Sequence, residues 1–169
     1  MELATTIMYM YPNAEPFVDF IVQNDNNGLG DYISMWNLPD PQPTADQLNA
    51  SYFQYLQASK ITDLKTKCQA TIYGGFSANS TGHFYTMDQQ DQDNMTQKML
   101  LIVHDTGNTI TTFNVKTRDA GVVMHTRDDF LNVCLEAGNF KETNMNRCWN
   151  LINNVYSANT AGDLSLIKW

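Results

Sequence analysis

Two histidines lie close enough to carboxylates to be written as catalytic dyads. His125 precedes Asp128 and Asp129, and His104 adjoins Asp105. An imidazole oriented by a carboxylate is a general base for hydrolytic or nucleophilic chemistry. Both places have a plainer use: His125 closes a strand pattern, and Thr126 with Asp129 has the spacing of a helix cap. The capping reading is preferred. Asp88, Asp91 and Asp93 resemble part of a calcium loop but lack the Gly and Glu that such a loop needs at its sixth and twelfth positions. A negatively charged first helical turn explains them better. Cys68, Cys134 and Cys148 are odd in number, form no CxxC pair and fall on apolar faces of predicted helices, so they read as buried free thiols. Together with His83, His104 and His125 they show no structural-zinc spacing. There is no P-loop, GxGxxG, GxSxG or HExxH. The expectation is a non-enzymatic chain without catalytic, metal or cofactor-binding residues.

A second kind of chemistry is recognition by aromatic side chains. Tyr9, Tyr11, Phe17 and Trp36 form either a ligand-stacking or partner-docking surface, or the buried face of a minimal sheet. Phe17 and Trp36 incline to burial and one of the tyrosines to exposure.

The elements that must position these residues follow from pattern. Thr5–Tyr11 is rich in β-formers and stops at Pro12, which predicts a strand. Phe17–Asn24 alternates and Tyr32–Asn37 ends on an aromatic, giving two more strands around the NDNNGLG turn. Leu38–Thr44 holds three prolines and reads as an extended linker. Thr44 and Gln47 open a long helix toward Tyr73, with a break near Ser59 allowed and Gly74-Gly75 ending it. Beyond it come a short strand at His83–Met87, a helix from Asp88, and a hairpin of Thr109–Thr117 and Gly121–His125 around Arg118-Asp119-Ala120. A helix after Thr126 is expected to stop at Gly138, and a last long helix to span Glu142–Tyr156. Its apolar stripe is Met145, Cys148, Trp149, Ile152, Val155 and Tyr156. Thr160 and Asp163 cap a final turn. The fold class is α+β: a small N-terminal antiparallel sheet with its proline-rich linker over residues 1–43, then a helix-rich domain with a β-hairpin over 44–169. The expected core of the second part is Phe76, Tyr85, Met99, Phe113, Phe130, Leu135, Cys148, Trp149 and Ile152. On that reading Trp149→Ala costs about 3–5 kcal/mol.

Composition narrows the partners. Of 169 residues 43% are hydrophobic and 11% aromatic, which suits a folded protein. The charge of −8 is uneven: residues 1–59 hold seven acids and no Lys or Arg, whereas the rest is nearly balanced. A cation-free acidic segment repels phosphate backbones and anionic lipids, so neither nucleic acid nor membrane is an expected partner. No run of about 20 apolar residues is present. The first residues lack the basic start and apolar block of a signal peptide, so no secretion by that route is expected.

Residues 7–48 resemble the start of the XkdW-type proteins of Bacillus phages and prophage-like elements, which are encoded beside the tail fibre gene. The resemblance rests on Met8-Tyr9, Tyr11-Pro12-Asn13, Asp19-Phe20, Asn24-Asp25, Gly28, Ile33, Trp36-Asn37-Leu38 and Pro41-Gln42-Pro43-Thr44. Roughly Lys60–Trp169 is similar to a domain of unknown function found in phage tail-associated proteins. The matching elements are Cys68-Gln69-Ala70, Ile72, Gly75-Phe76, Gly82-His83-Phe84-Tyr85, Asp91-Gln92-Asp93-Asn94, His125 through Phe130, and Ile167-Lys168-Trp169. XkdW-type chains usually continue past the linker as a polar helix, and this chain departs by placing a folded domain there. The resemblance implies a bacteriophage tail protein at the tail fibre or baseplate, acting through protein–protein contacts as a structural part of the virion. Its partners would be fibre or baseplate proteins or further copies of itself, and its location the virion tail or the host cytoplasm during assembly. A tail fibre assembly chaperone absent from the particle is the alternative. A receptor- or glycan-binding module using Tyr9 and Tyr11 and a cell-wall hydrolase using His125 are the rivals from other classes.

Overall fold

A computed structural model describes residues 2–169. The fold is α+β, and its contacts divide it into two compact units. One runs up to Thr62 and includes residues 154–168; the other is Asp63–Asn153 with Trp169.

In the first unit, α1 (Leu3–Met10) is followed by β1 (Phe20–Gln23) and β2 (Tyr32–Trp36), which pair antiparallel with an irregularity between Ile21 and Val22. The strand expected over Thr5–Tyr11 is therefore a helix, and the sheet has two strands rather than three. Local β-preference is overridden by a helical spacing of buried residues: Leu3, Thr6 and Ile7 lie at i, i+3 and i+4 and face a core with Phe20 and Leu48. Thr6 Oγ1 also donates to the Glu2 carbonyl at 2.8 Å, the i−4 back-bond by which a helical threonine satisfies its buried hydroxyl.

The strand expected from Phe17 begins only at Phe20 because residues 15–19 form a tight turn. Its Phe17 amide donates to the Phe20 carbonyl at 2.8 Å, and Phe17 has φ 68°, in the left-handed region. Phe17 is 79% exposed, so the expected burial is corrected. An exposed aromatic in a glycine-like conformation costs stability without a compensating contact. Phe17→Gly is accordingly expected to raise stability by roughly 0.5–1 kcal/mol in urea unfolding.

α2 (Ala45–Gly74) opens on the expected capping box, with the Thr44 amide donating to Gln47 Oε1 at 2.8 Å and the Gln47 amide to Thr44 Oγ1 at 3.3 Å. It runs through Ser59 without a break.

The second unit holds β3 (Phe76–Ser77), β4 (Phe84–Tyr85), α3 (Gln89–His104), β5 (Thr112–Thr117) and β6 (Gly121–Thr126). β3 pairs with β4, and β5 with β6 around residues 118–120, both antiparallel. Asp88 caps α3 by accepting from the Asp91 amide at 2.9 Å, the helix-capping role preferred over calcium. α4 (Arg127–Ser157) is one helix of 31 residues, so Gly138 does not stop it. An isolated helical glycine costs about 1 kcal/mol, which the buried series Phe130, Val133, Ala137 and Cys148 outweighs. α5 (Ala161–Leu166) carries the expected Thr160–Asp163 capping box.

The core of this unit gathers Phe76, Tyr85, Phe113 and Phe130 with Ala78, Met87, Ile102, Val115, Val133 and Ala137. A satellite cluster joins Cys68, Ile72 and Cys148, with Met145 and Ile152 half-buried beside it. Met99 packs partly buried on the main core. Two expected core residues are outside: Leu135 is 64% exposed and Trp149 54%. Successive helical residues are about 100° apart, so with Cys148 in the seam its neighbour Trp149 turns to the edge. Trp149→Ala is now expected to cost under about 1 kcal/mol rather than 3–5, as surface changes do.

Candidate functional site

His125 and Asp129 line one recess, but each spends its hydrogen bonds on other partners. His125, on β6, is only 3% exposed, and both ring nitrogens are engaged. Nδ1 lies 3.1 Å from the Val123 carbonyl, which can only accept, so Nδ1 carries the proton. Nε2 is then the acceptor for the Tyr85 hydroxyl at 2.5 Å, and that hydroxyl accepts in turn from Thr81 at 2.8 Å. Burial pushes the Tyr85 phenol up, partly offset by the Thr81 bond. Asp129 instead caps α4 through Thr126 Oγ1 at 2.7 Å, and Asp128 is an exposed first-turn acid. Among the described residues no hydrogen bond joins His125 to Asp128 or Asp129.

The Asp105 carboxylate likewise takes its hydrogen bonds from groups other than His104. Asp105 accepts from the Ile110 amide at 2.8 Å, from the Thr109 amide and hydroxyl at 2.9 and 2.8 Å, and from Arg127 at 2.8 Å. The Ile110 and Thr109 amides, ahead of Arg127, hold its carboxyl well below the usual carboxylate range. Arg127 also donates to the Ile110 and Ile102 carbonyls, so the pair ties the end of α3 to the start of α4.

One pairing that local spacing missed is His83 with Asp119. His83 Nδ1 lies 3.0 Å from Asp119 Oδ2, and Asp119 Oδ1 accepts from the Phe84 amide at 2.9 Å. The His83 bond, then the Phe84 amide, lowers the Asp119 carboxyl. This pair stands beside a polar recess of about 230 Å³ lined by Ser80, Thr81, His83, Val123, His125 and Asp129 among others. The two residues are 36 apart in sequence, and only the presence of Asp119 at a hairpin tip could have hinted at the contact. Glu136, lowered by Ser80 and by the Asn79 amide, closes the same loop from α4. Among the described residues no three His, Cys, Asp or Glu side chains are placed to hold a metal ion.

The depressed carboxyls of Asp105, Asp119, Glu136 and Asp163 give a pH dependence. Each has a folded value below its unfolded one, so its stabilisation is complete above the ordinary carboxylate range and lost on acidification. The melting temperature is expected to hold near neutrality and fall between about pH 5 and pH 2. Asp105→Asn should flatten that fall, because the substituted amide binds no proton there.

Cys68 and Cys134 are poor nucleophiles. Burial, with Cys148 nearby, pushes Cys68 up to about 11, and burial takes Cys134 to about 11 as well. All three cysteines are free, with Cys68 and Cys148 buried.

The four aromatic residues are split rather than assembled into one face. Tyr11 meets Trp36 edge-on at 5.4 Å, and the Trp36 indole donates to the Asp40 carbonyl at 2.7 Å. Both are half-buried against the first unit's core. Tyr9, 40% exposed, meets Tyr55 edge-on at 5.8 Å, and Tyr55 stacks on Tyr52 at 6.3 Å. Phe17 stacks on none of these among the described residues.

A feature that sequence reading missed is an open apolar groove of about 360 Å³ in the second unit, floored by Ile72, Met145, Trp149 and Ile152. Lys65 and Lys141 are its charged lining residues, and no carboxylate lines it. Trp149, 54% exposed at the helix edge, forms part of its lining. Among the described residues no helix is long and apolar enough to cross a membrane.

The XkdW protein family model matches residues 3–60. The model for a domain of unknown function, DUF4376, matches residues 55–167. The chain is similar to the uncharacterized protein YqcD of Bacillus subtilis strain 168, at 39% identity over 59 residues, 35% of this chain and 52% of that protein. It is similar to the phage-like element PBSX protein XkdW of the same strain, at 46% identity over 57 residues, 34% of this chain and 50% of that protein. The chain thus spans about half the length of these curated relatives. The solution NMR structure of the PBSX XkdW protein matches 33% of this chain and 88% of that one at 45% identity, with a TM-score of 0.28. The chain belongs to the DUF4376 family, its domain of unknown function preceded by an XkdW segment at residues 3–60.

Proposed function

We propose that this protein is a non-enzymatic bacteriophage tail protein that works at the tail fibre or baseplate through protein–protein contacts, as a structural part of the virion. The observation that carries the reading is the 46% identity of its XkdW segment to a protein of the phage-like element PBSX. The engagement of the reactive side chains supports a role in contacts rather than catalysis. His125 is held between Tyr85 and Val123, Asp129 caps a helix, and Asp105 binds Arg127. Exposed aromatic and apolar surface supports it further: Phe17, Tyr9 and Trp149 face solvent. A first segment with seven acids and no Lys or Arg favours protein partners over nucleic acid.

Mass spectrometry of purified virions, beside a pull-down from producing cells, tests this. Stoichiometric presence in particles with fibre or baseplate proteins supports the structural role. Capture with the fibre protein but absence from particles would replace it with an assembly chaperone. Absence from both, with breakdown of cell-wall material by the purified protein, would overturn the whole reading.

A further inference from the structure

We propose that the turn bearing Phe17 docks into the Trp149 groove of a second copy of this chain, so that the protein self-associates. This interface goes beyond the tail assignment and stands without it. The groove sets the chemistry of its occupant. Its floor is apolar, its charged lining residues are Lys65 and Lys141, and it contains no acid. Lys141 is held at the rim by donating to Gln92 Oε1 at 2.6 Å. An open pocket with a 54% exposed Trp is the kind of site where a partner's aromatic anchor gains most. The occupant should therefore be an apolar tip flanked by carboxylates.

The chain carries such a tip. Residues 15–19 present Phe17 and Val18, 79% and 58% exposed, between Glu15 and Asp19. Asp19 accepts from the Glu15 amide at 2.8 Å, and the Phe17 amide is bonded to the Phe20 carbonyl, so the tip is ordered before it meets a partner. Phe17 holds φ 68° while its side chain is 79% exposed, a backbone cost with little side-chain burial to offset it. The surrounding 59 residues hold seven acids and no Lys or Arg, so this part of one copy is drawn to a cationic rim on the next. Turn and groove are different surfaces, so the contact either closes reciprocally in a two-fold pair or repeats from copy to copy.

Sedimentation velocity of the full chain from micromolar to millimolar concentration tests the proposal. Concentration-dependent association that weakens with salt is expected. Phe17→Gly, which keeps the turn's backbone, and Trp149→Ala should each raise the dissociation constant about tenfold or more, while Leu29→Ala, 88% exposed elsewhere, should not. Glu15→Lys alone and Lys65→Glu/Lys141→Glu alone should both be impaired. An equimolar mixture of the two should associate, because each reversed turn then meets a reversed groove. A monomer at every concentration would overturn the proposal. So would association indifferent to Phe17→Gly or to Trp149→Ala, or a mixture no better than its components. Circular dichroism and melting of each variant separate lost contact from lost fold.

Discussion

Gly75→Ala is expected to destabilise the Asp63–Asn153 unit by roughly 2–5 kcal/mol, combining a left-handed backbone penalty of about 1–2 with an overpacking penalty of about 1–3. Gly75 follows α2 with φ 91° and donates to the Ile72 carbonyl at 3.1 Å. A Cβ there would lie 2.0 Å from the Tyr85 carbonyl oxygen, 2.8 Å from Thr86 Cα and 2.9 Å from the Tyr85 carbonyl carbon. All three are backbone atoms in or next to the strand paired with β3, so no rotamer change relieves the clash. β4 would have to move, taking the Tyr85 hydroxyl from His125 and Thr81. Urea unfolding should show the loss as a lower midpoint, and His125 ring resonances should shift in the folded fraction. Gly74→Ala is the matched control. Gly74 lies in the last turn of the helix with nothing within 4 Å of its Cβ position, so the change should be neutral or slightly stabilising. Equal effects of the two substitutions would show that β4 does not press on the end of α2.

What is legible in the chain is what is written within a few residues. The capping pairs Thr44–Gln47, Asp88–Asp91, Thr126–Asp129 and Thr160–Asp163 are local hydrogen bonds between neighbouring residues, and all four form. The turn at Arg118-Asp119-Ala120 is local in the same way. Gly75 is recognisable as a helix terminator, but its close approach to Tyr85 belongs to tertiary structure. Thr5–Tyr11 misleads because its β-formers compete with a burial pattern that only the Phe20–Leu48 core makes visible. Gly138 misleads because one glycine inside a long helix costs less than the packing on either side contributes. The surfaces are the least legible. The Phe17 exposure depends on a backbone turn, the His83–Asp119 pair bridges 36 residues, and the Trp149 groove follows from helix phase.

Phe130→Ala is expected to cost about 4 kcal/mol, lowering the melting temperature by on the order of 10 °C. Phe130 and Trp149 are aromatic residues of the same helix, and periodicity assigns both to the core. Phe130 has no exposed surface and stacks on Phe113 with ring centroids 4.9 Å apart. Its removal takes apolar area out of a packed site, leaves a cavity the size of most of a phenyl ring, and forfeits an aromatic pair worth about 0.5–1.5 kcal/mol. The neighbours cannot collapse freely into that cavity. Phe113 is fixed by the β5–β6 ladder, and Val133 and Ala137 by the helix itself. Phe130→Leu, which keeps much of the volume, should cost under about 1.5 kcal/mol. Trp149→Ala should leave stability almost unchanged, because its indole already faces solvent and leaves no cavity behind. The informative quantity is the contrast between the two alanine variants in parallel urea titrations. A deficit of several kcal/mol at Phe130 with almost none at Trp149 fixes the phase of α4. Similar deficits would mean that the indole is packed inward, and both the groove and the proposed docking of Phe17 would then be lost together.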